Sequence, residues 1–157
     1  MKIVLIQVGK TTNPHIVSLI DDYVARLKHY ASFEIQTIPE LRNTKNLNEQ
    51  QQKEAEGMLI LKQLLPSDHL VLLDEHGKMQ CSLEFADWMR RKQNTLSKRL
   101  VFLIGGPYGF SSGVYERANE LFSLSAMTFS HQMVRLIFVE QLYRAFTILH
   151  GEPYHHE

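Results

Sequence analysis

The chain has almost no cysteine. Cys81 is the only one among its 157 residues, so no disulfide is available, and a lone thiol without a neighbouring signature reads as buried or incidental, not catalytic. Net charge is also missing: 17 Lys and Arg against 17 Asp and Glu leave +0, so composition gives no sign of a nucleic-acid partner, and any grip on RNA would need a local basic surface. No apolar stretch is long enough to span a bilayer, and the N-terminus opens on a strand-like run with no h-region or cleavage site, which places the protein in the cytosol without a membrane partner. No internal repeat or low-complexity tract is present. A length of 157 residues suits one domain that buries roughly two thirds of its unfolded surface without metal or disulfide staples.

Two phosphate-binding fingerprints are absent as well. Gly9-Lys10-Thr11-Thr12 looks like the end of a P-loop, but Val4 stands where the leading glycine is required. Gly105, Gly106 and Gly109 lack the spacing of a dinucleotide-binding turn and the long helix that follows one, which argues against a nicotinamide dehydrogenase.

What is present is organised around 100–113, L-V-F-L-I-G-G-P-Y-G-F-S-S-G. The apolar run Leu100 to Ile104 reads as a strand buried on both faces, and it ends in backbone nearly bare of side chains, where a ligand can approach the main chain. In open α/β sheets ligands lie off the carboxyl ends of strands.

Elsewhere strands and helices alternate. Lys2 to Val8 is a strand; Asn13 as cap and Pro14 as first residue open a helix to about Tyr30, with Ile16, Val17, Leu19, Ile20, Tyr23, Val24 and Leu27 inward. Phe33 to Ile38 is a short strand, and 42–52 reads as a mobile loop. A helix over about 49–65 turns Ala55, Met58, Leu59, Leu61 and Leu65 inward, and a buried strand spans His69 to Asp74 with turn chemistry at 75–78. Ser82 caps a helix carrying Leu83, Phe85, Ala86, Trp88 and Met89 and closing on the solvated triplet Arg90-Arg91-Lys92. A short helix over 112–120 and a strand over 121–129 that runs into a loop lead to the longest element, 132–150, which is apolar almost all round. Such a helix predicts a homodimer, with some of Val134, Phe138, Leu142 and Phe146 covered by a second copy. The fold class is therefore α/β, a single domain with a largely parallel sheet and helices on both faces.

Five separated segments then coincide with one family: Val71-Leu72-Leu73-Asp74; Ile104 to Gly109; Leu124 to Arg135; Glu140-Gln141-Leu142-Tyr143-Arg144-Ala145-Phe146; and the tail Gly151-Glu152-Pro153-Tyr154-His155. Together they resemble the RlmH family of SPOUT-class RNA methyltransferases along the whole chain. Ser130 stands where relatives often carry proline.

The resemblance implies one SPOUT methyltransferase domain over 1–157, with a C-terminal trefoil knot that holds S-adenosylmethionine and a short catalytic tail at 151–157. It implies homodimers and transfer of a methyl group to N3 of a pseudouridine in large-subunit ribosomal RNA, on assembled ribosomes. Carried over by position, the cofactor residues are Leu73, Gly105, Leu124, Ser125, Ala126, Met127, Thr128 and Phe129. Candidates to favour the deprotonated target nitrogen are Arg135, Arg144, Tyr154 and His155. Arg144 has a simpler reading as the partner of Glu140, and His131 as a capping or core histidine. The terminal run His155-His156-Glu157 lacks the geometry and the fourth ligand of a zinc site, so no metal is expected. Rival readings are a SPOUT methyltransferase of another RNA and a non-enzymatic RNA- or ribosome-binding module. The tail, being polar and short, is expected to serve chemistry more than stability.

Overall fold

A computed structural model describes residues 1–156; Glu157, part of the expected catalytic tail, lies outside the described residues. The chain forms β1 (Lys2–Val8), α1 (Pro14–Leu27), β2 (Ser32–Ile38), α2 (Glu49–Lys62), β3 (His69–Met79), α3 (Ser82–Thr95), β4 (Arg99–Ile104), α4 (Ser112–Arg117), β5 (Glu120–Ser123) and α5 (His131–Leu149). The strands make one five-stranded sheet in the order β2-β1-β4-β3-β5, and every pairing is parallel. No helix is long and apolar enough to cross a membrane among the described residues.

Continuous apolar strands are what a sheet covered on both faces requires. In β1, Ile3 and Leu5 point into one core with Leu27 of α1, Phe85 of α3, and Phe138, Leu142 and Phe146 of α5. Val4 and Ile6 point into the other core with Ile60 of α2 and Val114 of α4. All four β1 side chains are fully buried, each contributing roughly 1.5–3 kcal/mol. Helices α1, α3 and α5 thus share one face, α5 packing between the other two, while α2 and α4 lie together on the opposite face.

Capping chemistry sets several helix starts. Asn13 accepts from the His15 and Ile16 amides, and Asn48 and Gln51 form a reciprocal capping box that begins α2 inside the segment expected to be loop. A short 3-10 turn at Thr44–Asn46 also orders that segment. The cap of α3 is Cys81, not Ser82: Glu84 accepts the Cys81 amide at 2.7 Å, whereas the Ser82 hydroxyl reaches across to Gln141 of α5 at 2.8 Å. The Cys81 thiol is exposed, against the buried reading.

Helical spacing also overstates the buried stripe. Leu19, Met58, Leu65 and Leu83 are exposed, and α2 instead seats Gly57 and Ile60 inward because it sits so close to Ser111 that a Cβ at Gly57 would come 2.3 Å from the Ser111 hydroxyl. The strand β3 runs past Asp74 to Met79, with a bulge between Leu73 and Lys78, both of which pair with Phe122. Gly77 is pressed on the β5 backbone there, 2.5 Å from the Phe122 nitrogen for a notional Cβ, so no larger residue fits.

The expected dimer patch needs revision. Phe138, Leu142 and Phe146 are fully buried within the chain by α1, α3 and the sheet, and of the residues named only Val134 keeps partial exposure. The faces of α5 are apolar all round largely because its own domain covers them.

Candidate active site

The carboxyl ends of β3, β4 and β5 open into a cleft of about 670 Å³. Its floor is Leu73 and Ile104-Gly105, and one wall is the loop after β5, of which Leu124, Ser125, Met127, Thr128 and Phe129 line the space. Of the residues expected at a cofactor, only Ala126 does not line it. The loop is shaped by its serines: Ser123 Oγ donates to the Ser125 carbonyl at 3.0 Å, and Ser125 Oγ accepts the Met127 amide at 2.9 Å. Ser130 then caps α5 by accepting the Met133 amide at 3.2 Å, a hydrogen bond that proline at this position would not provide.

The opposite wall is the Gly-Gly-Pro turn. A Cβ at Gly105 would come 2.8 Å from the Phe110 ring, and one at Gly106 would meet the Glu56 carboxylate at 2.3 Å. Glu56 accepts the Gly106 amide at 2.9 Å and so fixes the turn from α2. Gly109 closes it with φ +79, a conformation that favours glycine. Gly105 is thus dictated by close packing against a buried ring, while a side chain at Gly106 would displace the Glu56 carboxylate that holds the turn.

A polar group that the sequence reading passed over stands at the end of β3. Asp74 accepts from the Tyr115 hydroxyl and from both the amide and Nδ1 of His76. Burial works to raise the Asp74 carboxyl, but these hydrogen bonds outweigh it and hold it below the ordinary carboxylate range. Asp74 therefore remains an anion at the cleft, beside Glu75. Its position at a strand end was the available signal; Tyr115 and Glu56, distant in sequence from their partners, gave none.

The four candidate catalytic residues fall into two places, neither on the cleft lining. Arg135 is 3 % exposed and donates to the Val8 carbonyl at 2.7 Å and to Thr11 Oγ1 at 2.9 Å, clamping the end of β1 to α5. Burial pushes its guanidinium pKa down, with the Glu40 charge working against that. The other three cluster at the far end of α5. Arg144 binds Glu140 at 2.6 Å and donates to His155 Nδ1 at 3.1 Å, while its guanidinium carbon lies 4.9 Å from the Tyr154 ring centre. Tyr154 donates to Glu140 at 3.0 Å and shares a hydrogen bond with Tyr23 at 3.1 Å. Burial, with these two bonds, raises the Tyr154 pKa, so it stays a neutral phenol. The Glu140 pairing of Arg144 is real, yet it leaves Nη1 for His155. His131 is neither buried nor a cap: it is exposed in the first turn of α5 and lines the cleft.

The tail is held, contrary to the expectation of a loosely attached segment. Besides Tyr154, Glu152 accepts from the Tyr30 hydroxyl at 2.6 Å, a bond that together with burial pushes the Tyr30 phenol up to about 12, and the Glu152 amide donates to the Thr147 carbonyl at 2.9 Å. Among the described residues no group of three or more His, Cys, Asp or Glu could hold a metal ion.

Residues 1–155 match the family described as "Predicted SPOUT methyltransferase". Proteins named "Ribosomal RNA large subunit methyltransferase H" from Phocaeicola vulgatus and Bacteroides thetaiotaomicron are each 63% identical over 100% of this chain and 100% of theirs. The protein of the same name from Flavobacterium psychrophilum is 56% identical over the full length of both. A solved structure titled as a probable methyltransferase from Bordetella pertussis superposes with a TM-score of 0.55 over 92% of this chain and 96% of that one, at 14% identity, which bears on the fold alone. With a match from end to end and a cleft lined by the strand ends and loop that the motifs marked, this chain belongs to the SPOUT methyltransferase family.

Proposed function

We propose that this SPOUT methyltransferase moves a methyl group from S-adenosylmethionine to N3 of a pseudouridine in large-subunit ribosomal RNA, acting on assembled ribosomes as a cytoplasmic homodimer. The observation that carries the reading is the cleft itself: seven of the eight residues expected at the cofactor line one space, in a chain that matches its named relatives over their full length. At about 670 Å³ the cleft lies within the roughly 300–1,000 Å³ that small-ligand sites occupy. The carboxylates Asp74 and Glu75 suit a ligand that carries a sulfonium and an ammonium. The bound cofactor supplies an electrophilic methyl group; the chain's part is to hold the two reactants in line and exclude water.

In this proposal the domain spans 1–157, the segment through β4, β5 and α5 carries the trefoil knot, and Leu73, Gly105 and 124–129 hold the cofactor. The target nitrogen is weakly acidic, so it reacts as an anion that positive charge stabilises. Arg144 supplies that charge, Tyr154 and His155 hold the base or its phosphate, and Arg135 positions the end of β1. Because the Arg144, Tyr154 and His155 cluster does not line the cleft of its own chain, a second copy is the natural source of these side chains at each cleft.

Labelled S-adenosylmethionine incubated with free ribosomal RNA, with separated subunits and with whole ribosomes tests the reading. Label is expected in one pseudouridine of the large-subunit RNA in the ribosome sample. Label in another RNA would redirect the substrate, and cofactor binding without transfer to any RNA would favour a non-enzymatic module.

A further inference from the structure

The structure has a second cavity that the methyl-transfer chemistry leaves without a role. It has a volume of about 310 Å³ and sits off the carboxyl ends of β1 and β4, between the start of α2 and the start of α5. The sheet makes this crevice special. β1 connects through α1 to β2 on one flank, and β4 connects through α4 to β5 on the other flank and the other face, so neighbouring strands diverge here. Such switch points in α/β sheets are where ligands bind. The crevice shares Gly106, Pro107, Tyr108 and His131 with the cofactor cleft, so its occupant would lie next to whatever occupies that cleft.

Its chemistry is rich in acceptors. Glu40 forms no hydrogen bond or ion pair among the described residues; Glu56 uses Oε1 on the Gly106 amide and leaves Oε2 open; Gln52 donates to the Leu47 carbonyl and leaves its oxygen open. Burial and the nearby Glu40 charge raise the Glu56 pKa. Of the two cations that line the crevice, Arg135 spends its Nη groups on Val8 and Thr11 and Lys10 forms no ion pair, so neither is hydrogen-bonded to Glu40 or to the open Glu56 oxygen among the described residues. The Tyr108 ring, 42% exposed, forms part of the rim, a surface on which a flat ring can stack. At the mouth Lys10 is exposed and forms no ion pair among the described residues.

From this arrangement we infer that the crevice between β1 and β4 is a base-binding subsite for an RNA nucleotide adjoining the target, selective for bases that carry an amino group. An amino group on adenine, cytosine or guanine donates to the open carboxylate oxygens, while uracil presents carbonyls on both sides of its single ring N–H and is repelled. The stacked base lies on Tyr108 and the flanking phosphates meet the basic mouth. This inference rests on the RNA substrate proposed above.

The test is a calorimetric titration of the whole protein, saturated with S-adenosylhomocysteine to fill the cofactor cleft, with the monophosphates of adenosine, cytidine, guanosine and uridine and with ribose 5-phosphate. The amino-bearing nucleotides are expected to bind about tenfold or more tightly than uridine monophosphate, the factor that loss of a charge-assisted hydrogen bond implies. The variant Glu40→Gln, which leaves the Glu56–Gly106 bond of the cofactor cleft intact, should lose most of that preference while its melting temperature and S-adenosylhomocysteine affinity stay within error. Equal binding of all four nucleotides, or ribose 5-phosphate binding as well as any of them, overturns the inference. Tighter binding of arginine amide overturns it in favour of a peptide. Failure of S-adenosylhomocysteine to bind would instead defeat the proposed activity, a result read separately from the base preference.

Discussion

Among single residues, Glu120 ties together more of the structure than its sequence context suggests. At the start of β5 it accepts from His69 at 2.5 Å, Lys92 at 2.6 Å and the Trp88 indole at 3.0 Å, joining β3, α3 and β5 at the end of the sheet away from the cleft. Burial works to raise its carboxyl, and the three donors overcome that and hold it below the ordinary value of 4.5. A carboxyl depressed on folding stabilises the fold above its unfolded value, and that contribution is lost as pH falls through the lower folded value. Urea unfolding of the wild type followed by Trp88 fluorescence should therefore weaken on acidification below 4.5. Glu120→Gln should cost about 1 kcal/mol at neutral pH, discounted for partial exposure, and flatten the acid slope. An unchanged slope would mean that the three bonds are energetically idle. Nothing in the sequence marked this residue, because its partners are brought together by the sheet. Gly105 and Gly106 were legible as places where side chains are unwelcome, but the reasons, Phe110 and Glu56, came from the fold. Arg135 was legible as a charged residue on an apolar helix; that it clamps β1 was not, because Val8 is far away in sequence.

At the scale of elements, periodicity located nearly every helix and strand and misjudged what covers them. The stripe on α5 was read as needing a second copy, yet α1, α3 and the sheet take up Phe138, Leu142 and Phe146; a sequence cannot show that three elements converge on one helix. The tail was misjudged in the other direction. Its few apolar residues suggested fraying, but Tyr154 and Glu152 bond to tyrosines of α1 and of the turn after it, at positions that carry no mark of that role. Deleting residues 152–157 should therefore lower the melting temperature as well as remove methyl transfer. A loss of the five tail hydrogen bonds described above, at about 1 kcal/mol each, predicts a drop on the order of 10–20 °C for a chain of this size. Tyr154→Phe separates the two roles, since it keeps the ring under Arg144 and removes the hydroxyl. It should melt within a few degrees of wild type and still lose most of its activity if the hydroxyl contacts substrate. Melting curves and single-turnover rates on both variants decide between a clamp and a substrate-binding tail.

The whole molecule was legible as a class and not as a topology. Alternating strands and helices announced an α/β sheet, but the order β2-β1-β4-β3-β5, and with it the second crevice, follows from pairings between strands far apart in the chain. Two of the four pairings, β1 with β4 and β3 with β5, join strands that are not consecutive in the chain. β4 fills the centre, flanked by β1 and β3, so a chain stopped at residue 98 keeps three of the five strands and loses the one that joins β1 to β3. That fragment contains three strands and three helices, yet should be digested by protease at the rate of an unfolded chain, while full-length protein resists. A protease-resistant fragment would show that β1, β2 and α1 fold independently.

The same central strand governs how the protein is made. β1 leaves the ribosome first with four side chains destined for full burial, and its second neighbour is not synthesised until about a hundred residues later. At ~5–20 residues per second the nascent strand waits roughly 5–20 s with one edge unpaired. Chaperone dependence during synthesis, more than equilibrium stability, should then limit the yield of soluble enzyme.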